Sequence, residues 1–165
     1  MIHSKLLHNH EIRLSSELIL SPGQVGLLNG WGVFSTIKIV DGVLFAFPRH
    51  WARMRRDADL MRVMFPWRPE ELEESLLRLV EANEAWNSTL RVTICRNRGT
   101  MWAGPVPATE VDLFAFTADR GDWGRAVKLG IVPQARHSAS RFAGTKVMSW
   151  AMNLIWYEEA HAAGL

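Results

Sequence analysis

The run Val33 to Val40 (VFSTIKIV), interrupted by Asp41-Gly42 and resumed by Val43 to Phe47 (VLFAF), limits the fold more than any other stretch of the chain. β-Branched residues suit a pleated, half-buried surface, and Asp-Gly fills the central positions of a tight hairpin turn, where positive φ is required. A β-hairpin is therefore expected at 33–47. From Pro48, whose fixed φ suits a first helical turn, Trp51, Met54, Ala58, Met61 and Phe65 recur at steps of three and four. That spacing predicts an amphipathic helix ending near Phe65-Pro66. A second helix is expected from about Pro69, with Leu72, Leu76, Leu79 and Val80 on one side and glutamates in its first turn, where the helix dipole favours them. Leu90 to Cys95 (LRVTIC) and Val111 to Thr117 (VDLFAFT) read as further strands, joined by a loop holding Gly99, Gly104, Pro105 and Pro107.

The order is thus β-β-α-α-β-β, and the expected class is α+β, an antiparallel sheet with two helices. These make an N-terminal domain over 1–118. The polar, glycine-containing stretch 119–126 reads as a linker. Val127 to Val132 (VKLGIV) reads as a new strand, and Lys146 to Ala163 as a helix with Gly164 at its C-terminal cap. One strand and one helix cannot close a core, so 127–165 is expected to be the beginning of a second, incomplete α/β domain.

Composition excludes several classes. Hydrophobic residues make up 48% and charged residues 22% of the 165 positions, close to the soluble average, so disorder and fibrous repeats do not fit. No apolar run reaches the roughly 20 residues of a membrane-spanning helix, and the N-terminus has no leader pattern. A cytoplasmic protein without membrane contact is expected. The single Cys95 cannot form an internal disulfide, and no Cys/His spacing resembles a zinc site.

Net charge is only +2. The cluster Arg49, Arg53, Arg55, Arg56 and Arg62 also contains Asp57 and Asp59 and reads first as a solvated helix face with local ion pairs, so no nucleic-acid partner is expected. Lysine is scarce: Lys5, Lys38, Lys128 and Lys146 are all there are. Lys146 is flanked by Met148, Trp150, Met152, Leu154, Ile155 and Trp156. An ammonium in apolar surroundings loses hydration, its pKa falls, and the free amine becomes a nucleophile able to form a Schiff base. Taken alone, the local sequence fits better a lysine whose stem packs while its charge reaches solvent. Ser149 and Asn153, one and two turns on, would share its helical face. Arg53 has the guanidinium fork that matches phosphate oxygens, and Arg91, Arg96 and Arg98 could hold a substrate carboxylate or pair with the glutamates of the second helix.

Other chemistries lack their signatures. Gly30-Trp31-Gly32 precedes a strand rather than a helix, against a dinucleotide fold. No GxSxG elbow occurs, and His50, His137 and His161 lack the ordered partners of a hydrolase. No glycosidase-type carboxylate pair is apparent.

Taken in order, four segments resemble the class IV family of pyridoxal-phosphate-dependent enzymes: branched-chain aminotransferases, D-amino-acid aminotransferases and aminodeoxychorismate lyases. Gly30 to Lys38 with Asp41-Gly42 looks like the family's GxGvFETiR strand and turn. His50-Trp51-Ala52-Arg53-Met54 looks like its HxxRL helix. Leu90 to Thr93 with Arg96 and Arg98-Gly99 is similar to its YiRlxvtRG strand. Lys146 with Asn153, Glu159-Ala160 and Gly164 resembles its lysine helix. The resemblance implies that Lys146 holds pyridoxal 5'-phosphate as a Schiff base and acts as base and acid, and that Arg53 anchors the phosphate. It places Phe34, Thr36, Lys38, Arg91, Arg96 and Arg98 toward the substrate, and implies transamination between an amino acid and a 2-oxo acid by a homodimer, with no metal. Ser35, Lys38 and Ser149 depart from the family's usual glutamate, arginine and asparagine. Thr36 leans toward the lyases, which release pyruvate and 4-aminobenzoate, and the arginines lean toward transamination. By the family pattern the EGxxxN segment beyond the lysine helix is missing. Weak or absent turnover is therefore expected, and a non-catalytic remnant that pairs with another subunit is the alternative.

Overall fold

The computed structural model describes residues 1–17, 25–99, 109–122 and 124–165. Its strands are β1 (Ile2–His8), β2 (Glu11–Leu14), β3 (Gly32–Val40), β4 (Val43–Leu44), β5 (Thr89–Arg96) and β6 (Val111–Ala118). Its helices are α1 (Val25–Asn29), α2 (Phe47–Leu60), α3 (Pro69–Ala82) and α4 (Ala151–Ala162), and a short 3-10 turn covers Ser15–Glu17. The strands form one antiparallel sheet in the order β2-β1-β6-β5-β3-β4. The α+β class read from the sequence is what the structure has.

Alternation along the strands divides the sheet into two faces. Val33, Ile37 and Ile39 of β3, Leu90, Val92 and Ile94 of β5, Leu113 and Ala115 of β6 and Leu7 of β1 are fully buried or nearly so. They form the core with Met54 and Ala58 of α2 and Leu72, Leu76, Leu79 and Val80 of α3. The other face carries Phe34, Thr36 and Lys38 of β3, with Arg91 of β5 directly opposite Thr36. α3 starts as its composition demands. Pro69 opens the helix, Glu70 and Glu71 occupy the first turn, and the Glu71 carboxylate accepts the Arg68 backbone N–H at 3.2 Å and its guanidinium Nε at 2.9 Å.

The hairpin at 33–47 is shorter than its apolar run. Asp41 and Gly42 take φ of 48° and 78°, as the turn requires, but β4 ends at Leu44. Ala46 adopts φ 53° and redirects the chain, so that Phe47, expected in the strand, opens α2 and is buried. α2 also ends early, at Leu60. Arg62 sits at φ 53° and the Val63 N–H closes onto the Ala58 carbonyl at 2.8 Å, so Phe65 follows the helix rather than ending it. The arginines of α2 pair locally as expected, Arg55 with Asp59 at 3.3 Å and Arg56 with Asp57 at 2.7 Å.

Two further expectations are corrected, and one strand pair is new. β1 and β2, outside the sequence reading, pair through a tight turn in which Asn9 has φ 55°. Val127 to Val132 forms no strand: Leu129 and Ile131 are 82% and 89% exposed, and among the described residues nothing pairs with them, so their backbone has no ladder to join. The C-terminal helix starts at Ala151, not at Lys146. Lys146 to Met148 instead run along the edge of β3, the Phe34 N–H donating to the Lys146 carbonyl and the Met148 N–H to the Gly32 carbonyl, at 3.1 and 3.0 Å. Backbone groups tied to a neighbouring strand cannot also enter a helix. Of the loop expected between β5 and β6, Gly104, Pro105 and Pro107 lie outside the described residues. No described helix is long and apolar enough to cross a membrane, and α4 buries none of its residues.

Candidate active site

The open edge of β3 at Gly32 to Phe34 gathers the site, because β4 covers only Ile39 and Val40 of that edge. The Phe34 carbonyl accepts from Arg53 Nη1 at 3.4 Å while its N–H is tied to Lys146. One residue of the strand thereby holds both groups. Arg53 projects from the first half of α2. Its Nη2 donates to Ser35 Oγ at 2.6 Å and its Nη1 to Asp57, one turn on, at 3.3 Å. Asp57 is wholly buried; Oδ1 accepts from Arg56 and Oδ2 also accepts the backbone N–H of Lys146 at 3.1 Å.

The Lys146 Nζ stands 5.0 Å from the centre of the Phe34 ring and 5.9 Å from that of Trp150, which meets Phe34 edge-on at 5.1 Å. Arg91 lies over the Phe34 ring at 3.5 Å. Burial, then the Arg53 and Arg91 guanidiniums, lower the Lys146 pKa from its usual value. Burial also lowers that of Arg91, which remains a cation at ordinary pH. The site is thus an aromatic floor of Phe34 and Trp150 with Lys146 and Arg91 over it, and Arg53 beside the strand edge, its carboxylate partner Asp57 shared with Arg56. Such a place favours a multiply charged anion and a free amine at Lys146.

His50 was read as lacking an ordered partner, and the structure corrects this: its Nδ1 lies 2.7 Å from Ser35 Oγ. Burial, then Arg53 and Lys146, hold its pKa below the usual 6.5. Arg53 can only donate to Ser35, so the Ser35 hydroxyl is free to donate to a neutral His50. A Ser–His pair suggests a nucleophile, but Ser35 is fully buried and no carbonyl substrate reaches its oxygen.

The structure therefore brings Lys146, Arg53, Phe34 and Arg91 together, with Thr36 and Lys38 exposed on the same sheet face. Arg96 and Arg98 are engaged elsewhere: Arg96 stacks over Trp31 at 4.2 Å, and Arg98 pairs with Glu110 at 3.0 Å. Ser149 and Asn153 do not share a helical face with Lys146. The Ser149 hydroxyl faces the Asn29 and Gly30 carbonyls, and Asn153 accepts from Arg136 at 2.9 Å. Sequence reasoning passed over Asp57 and Trp150. The four-residue spacing from Arg53 to Asp57 is a helix-face signal that pointed to the first. No group of three or more potential metal ligands occurs among the described residues.

A family model described as amino-transferase class IV matches residues 32–165. The chain belongs to this family, the class IV aminotransferases. Over 136 residues it is 23% identical to a chloroplastic D-amino-acid transaminase of Arabidopsis thaliana, a match that covers 82% of this chain and 36% of that one. Its fold superposes on a branched-chain aminotransferase from Thermoproteus uzoniensis, solved with norvaline, at a TM-score of 0.82 and 18% identity, over 98% of this chain and 57% of that one. A branched-chain amino acid aminotransferase from T.th., solved with pyridoxamine 5'-phosphate, gives 0.79 and 24% over the same shares. The chain thus spans about a third of that curated relative and somewhat over half of these solved ones.

Proposed function

We propose that this chain binds pyridoxal 5'-phosphate, with Lys146 as the Schiff-base lysine and Arg53 on the phosphate, and that its parent activity is transamination between an amino acid and a 2-oxo acid. The observation that carries the reading is the amine of Lys146, half-buried over Phe34 and Trp150, its pKa lowered, and tied through its own backbone and Asp57 to Arg53. The residues fit the group. A phosphate dianion would offset the excess of cations, and the aromatic rings would suit a flat heterocycle. When bound, pyridoxal phosphate supplies an aldehyde for amines and a ring that delocalises the electron pair left on a substrate's Cα.

Asp57 fixes the guanidinium of Arg53 without neutralising it fully, since Arg56 shares the carboxylate. Ser35 holds its second nitrogen. Lys146 Nζ, its pKa lowered by burial and its cationic neighbours, would be the amine that meets the cofactor's aldehyde, and would be the group to take and return a proton at the substrate Cα. Arg91, held over Phe34 on the exposed face with Thr36 and Lys38, is placed for a substrate carboxylate. Arg96 and Arg98 would join it only from another part of the assembly, in keeping with a homodimer as the working form. Residues 127–165 would then begin the cofactor-binding domain, after a small domain over 1–118 and a linker.

Thr36, exposed and directly opposite Arg91 in register, favours a second reading, aminodeoxychorismate cleavage. Product analysis separates the two: a new amino acid paired with a keto acid, or pyruvate with 4-aminobenzoate.

The test is to incubate the chain with pyridoxal phosphate, reduce with borohydride and map the pyridoxyl peptide. An adduct confined to Lys146 is expected. Labelling scattered over Lys5, Lys38 and Lys128, or none at all, overturns the assignment.

A further inference from the structure

A second cationic place lies at the C-terminal end of α2. Met61 caps the helix and Arg62 follows at φ 53°. The closing bonds, Arg62 N–H to the Asp59 carbonyl at 3.2 Å and Val63 N–H to that of Ala58 at 2.8 Å, put Arg62 in the left-handed turn position that glycine favours. An arginine there costs backbone free energy, as Ala46 and Glu84 do at φ 53° and 51°, so the conformation alone assigns no role to the side chain.

Arg62 and Arg141 line a cavity of about 220 Å³ with Trp31, Leu60, Met61 and Phe142. The indole is fixed in place: its N–H donates to the Met61 carbonyl at 2.7 Å, and the Arg96 guanidinium lies 4.2 Å from its centre. Arg96 in turn donates to the Arg62 carbonyl at 2.9 Å and to the Arg98 carbonyl at 2.7 Å. None of these three guanidiniums meets a carboxylate among the described residues. Cations gathered without a counter-charge raise the local concentration of anions, and the guanidinium fork fits a carboxylate or a phosphate group. Trp31, Met61 and Phe142 offer faces for a flat apolar body. The volume is below the roughly 300 to 1,000 Å³ of drug-sized sites, which limits the body to one ring.

We propose that this cavity binds a small aromatic acid, one ring carrying a carboxylate or phosphate group, at a site separate from that of Lys146. The assignment does not depend on the reading of Lys146.

Calorimetric titration of the full chain with benzoate, phenyl phosphate and inorganic phosphate tests it. At least one aromatic acid is expected to bind in the Arg53→Gln chain, where the phosphate place beside Lys146 is disabled, with inorganic phosphate at least tenfold weaker there. Arg62→Gly and Arg141→Gln should each weaken that binding at least tenfold. Arg62→Gly should do so with an equal or higher Tm, because glycine suits the backbone there. Arg53→Gln should leave benzoate binding unchanged. Absence of binding, equal affinity for inorganic phosphate, or retention in Arg62→Gly overturns the proposal. Loss in Arg53→Gln would place the ligand at the Lys146 site instead, and a lower Tm for Arg62→Gly would show that the side chain serves the fold; either result overturns it as well.

Discussion

Asp57 and Lys146, 89 positions apart, are joined by a hydrogen bond of 3.1 Å from the Lys146 backbone N–H to a carboxylate oxygen that also accepts from Arg53. The bond ties the segment entering α4 to α2, and it sets the distance between the amine and the guanidinium. A fully buried carboxylate is tolerated only with such partners, and removing it deprives two arginines and an N–H of that acceptor. Asp57→Ala should therefore destabilise the fold by about 1.5–3 kcal/mol, the range for hydrogen bonds to charged groups. It should also loosen the Lys146 segment. Urea unfolding measures the first effect, and faster hydrogen exchange at the Lys146 amide with little change at Leu76 or Ile94 measures the second. An unchanged exchange pattern would show that Asp57 does not position Lys146.

Gly32 gives a second handle on the same segment. A Cβ at this position would lie 2.4 Å from the Ile94 carbonyl oxygen and 2.4 Å from the Met148 sulfur. The sulfur can move, but the β5 backbone cannot without breaking its ladder. Gly32→Ala should cost about 1–3 kcal/mol by overpacking and displace Met148 from its bond to the Gly32 carbonyl. Thermal unfolding together with pyridoxal phosphate labelling of Lys146 checks this. Full stability with full labelling would mean that the strand edge tolerates the methyl group.

Sequence and structure agree where a local rule settles the conformation. Asp41-Gly42 supplies the two positive φ values of the hairpin turn, and Pro69 with Glu70 and Glu71 announces α3, so both were legible. They part where tertiary pairing decides. Val147 and its neighbours fit a helix or a strand equally well by pattern, and only the free edge of β3 makes them extended. Val127 to Val132 has the composition of a strand and no partner among the described residues. His8-Asn9-His10 hides the turn between β1 and β2, since no glycine marks it. Of the candidate site, the order of the family motifs singles out Lys146 and Arg53, and the fold brings the two to the same stretch of β3. The part played by Asp57 depends on complete burial, which a four-residue spacing does not reveal.

The lowered pKa of Lys146 has burial as its largest cause, followed by Arg53 and Arg91. Taking away a neighbouring cation favours the ammonium form, so Arg53→Gln and Arg91→Gln should each raise the pKa of Lys146 and slow its acylation at a fixed pH between neutrality and about 9. Peptide-resolved acetylation rates against pH give the midpoint directly, with Lys128 as an internal reference. A midpoint unmoved in both variants would mean that burial alone sets the reactivity of the amine.

His50 makes the stability of the fold depend on pH. Its folded pKa lies below 6.5 because of burial, and because of Arg53 and Lys146. As pH falls through about 6.5, the unfolded chain takes up the proton before the folded one does. The unfolded state then binds more protons, so stability rises with pH across this window and is lost as pH drops from about 6.5 toward the folded value. Protonation would also turn Nδ1 from an acceptor of the Ser35 hydroxyl into a donor competing with Arg53 for the same oxygen. His50→Asn keeps an acceptor near Ser35 and cannot titrate. The unfolding free energy of the wild type relative to this variant should therefore fall between about pH 6.5 and 5, while the difference stays level above about pH 7.5. Parallel curves from about pH 5 to 8 would show that His50 carries its proton equally in both states, and would remove it from the charge balance around Arg53 and Lys146.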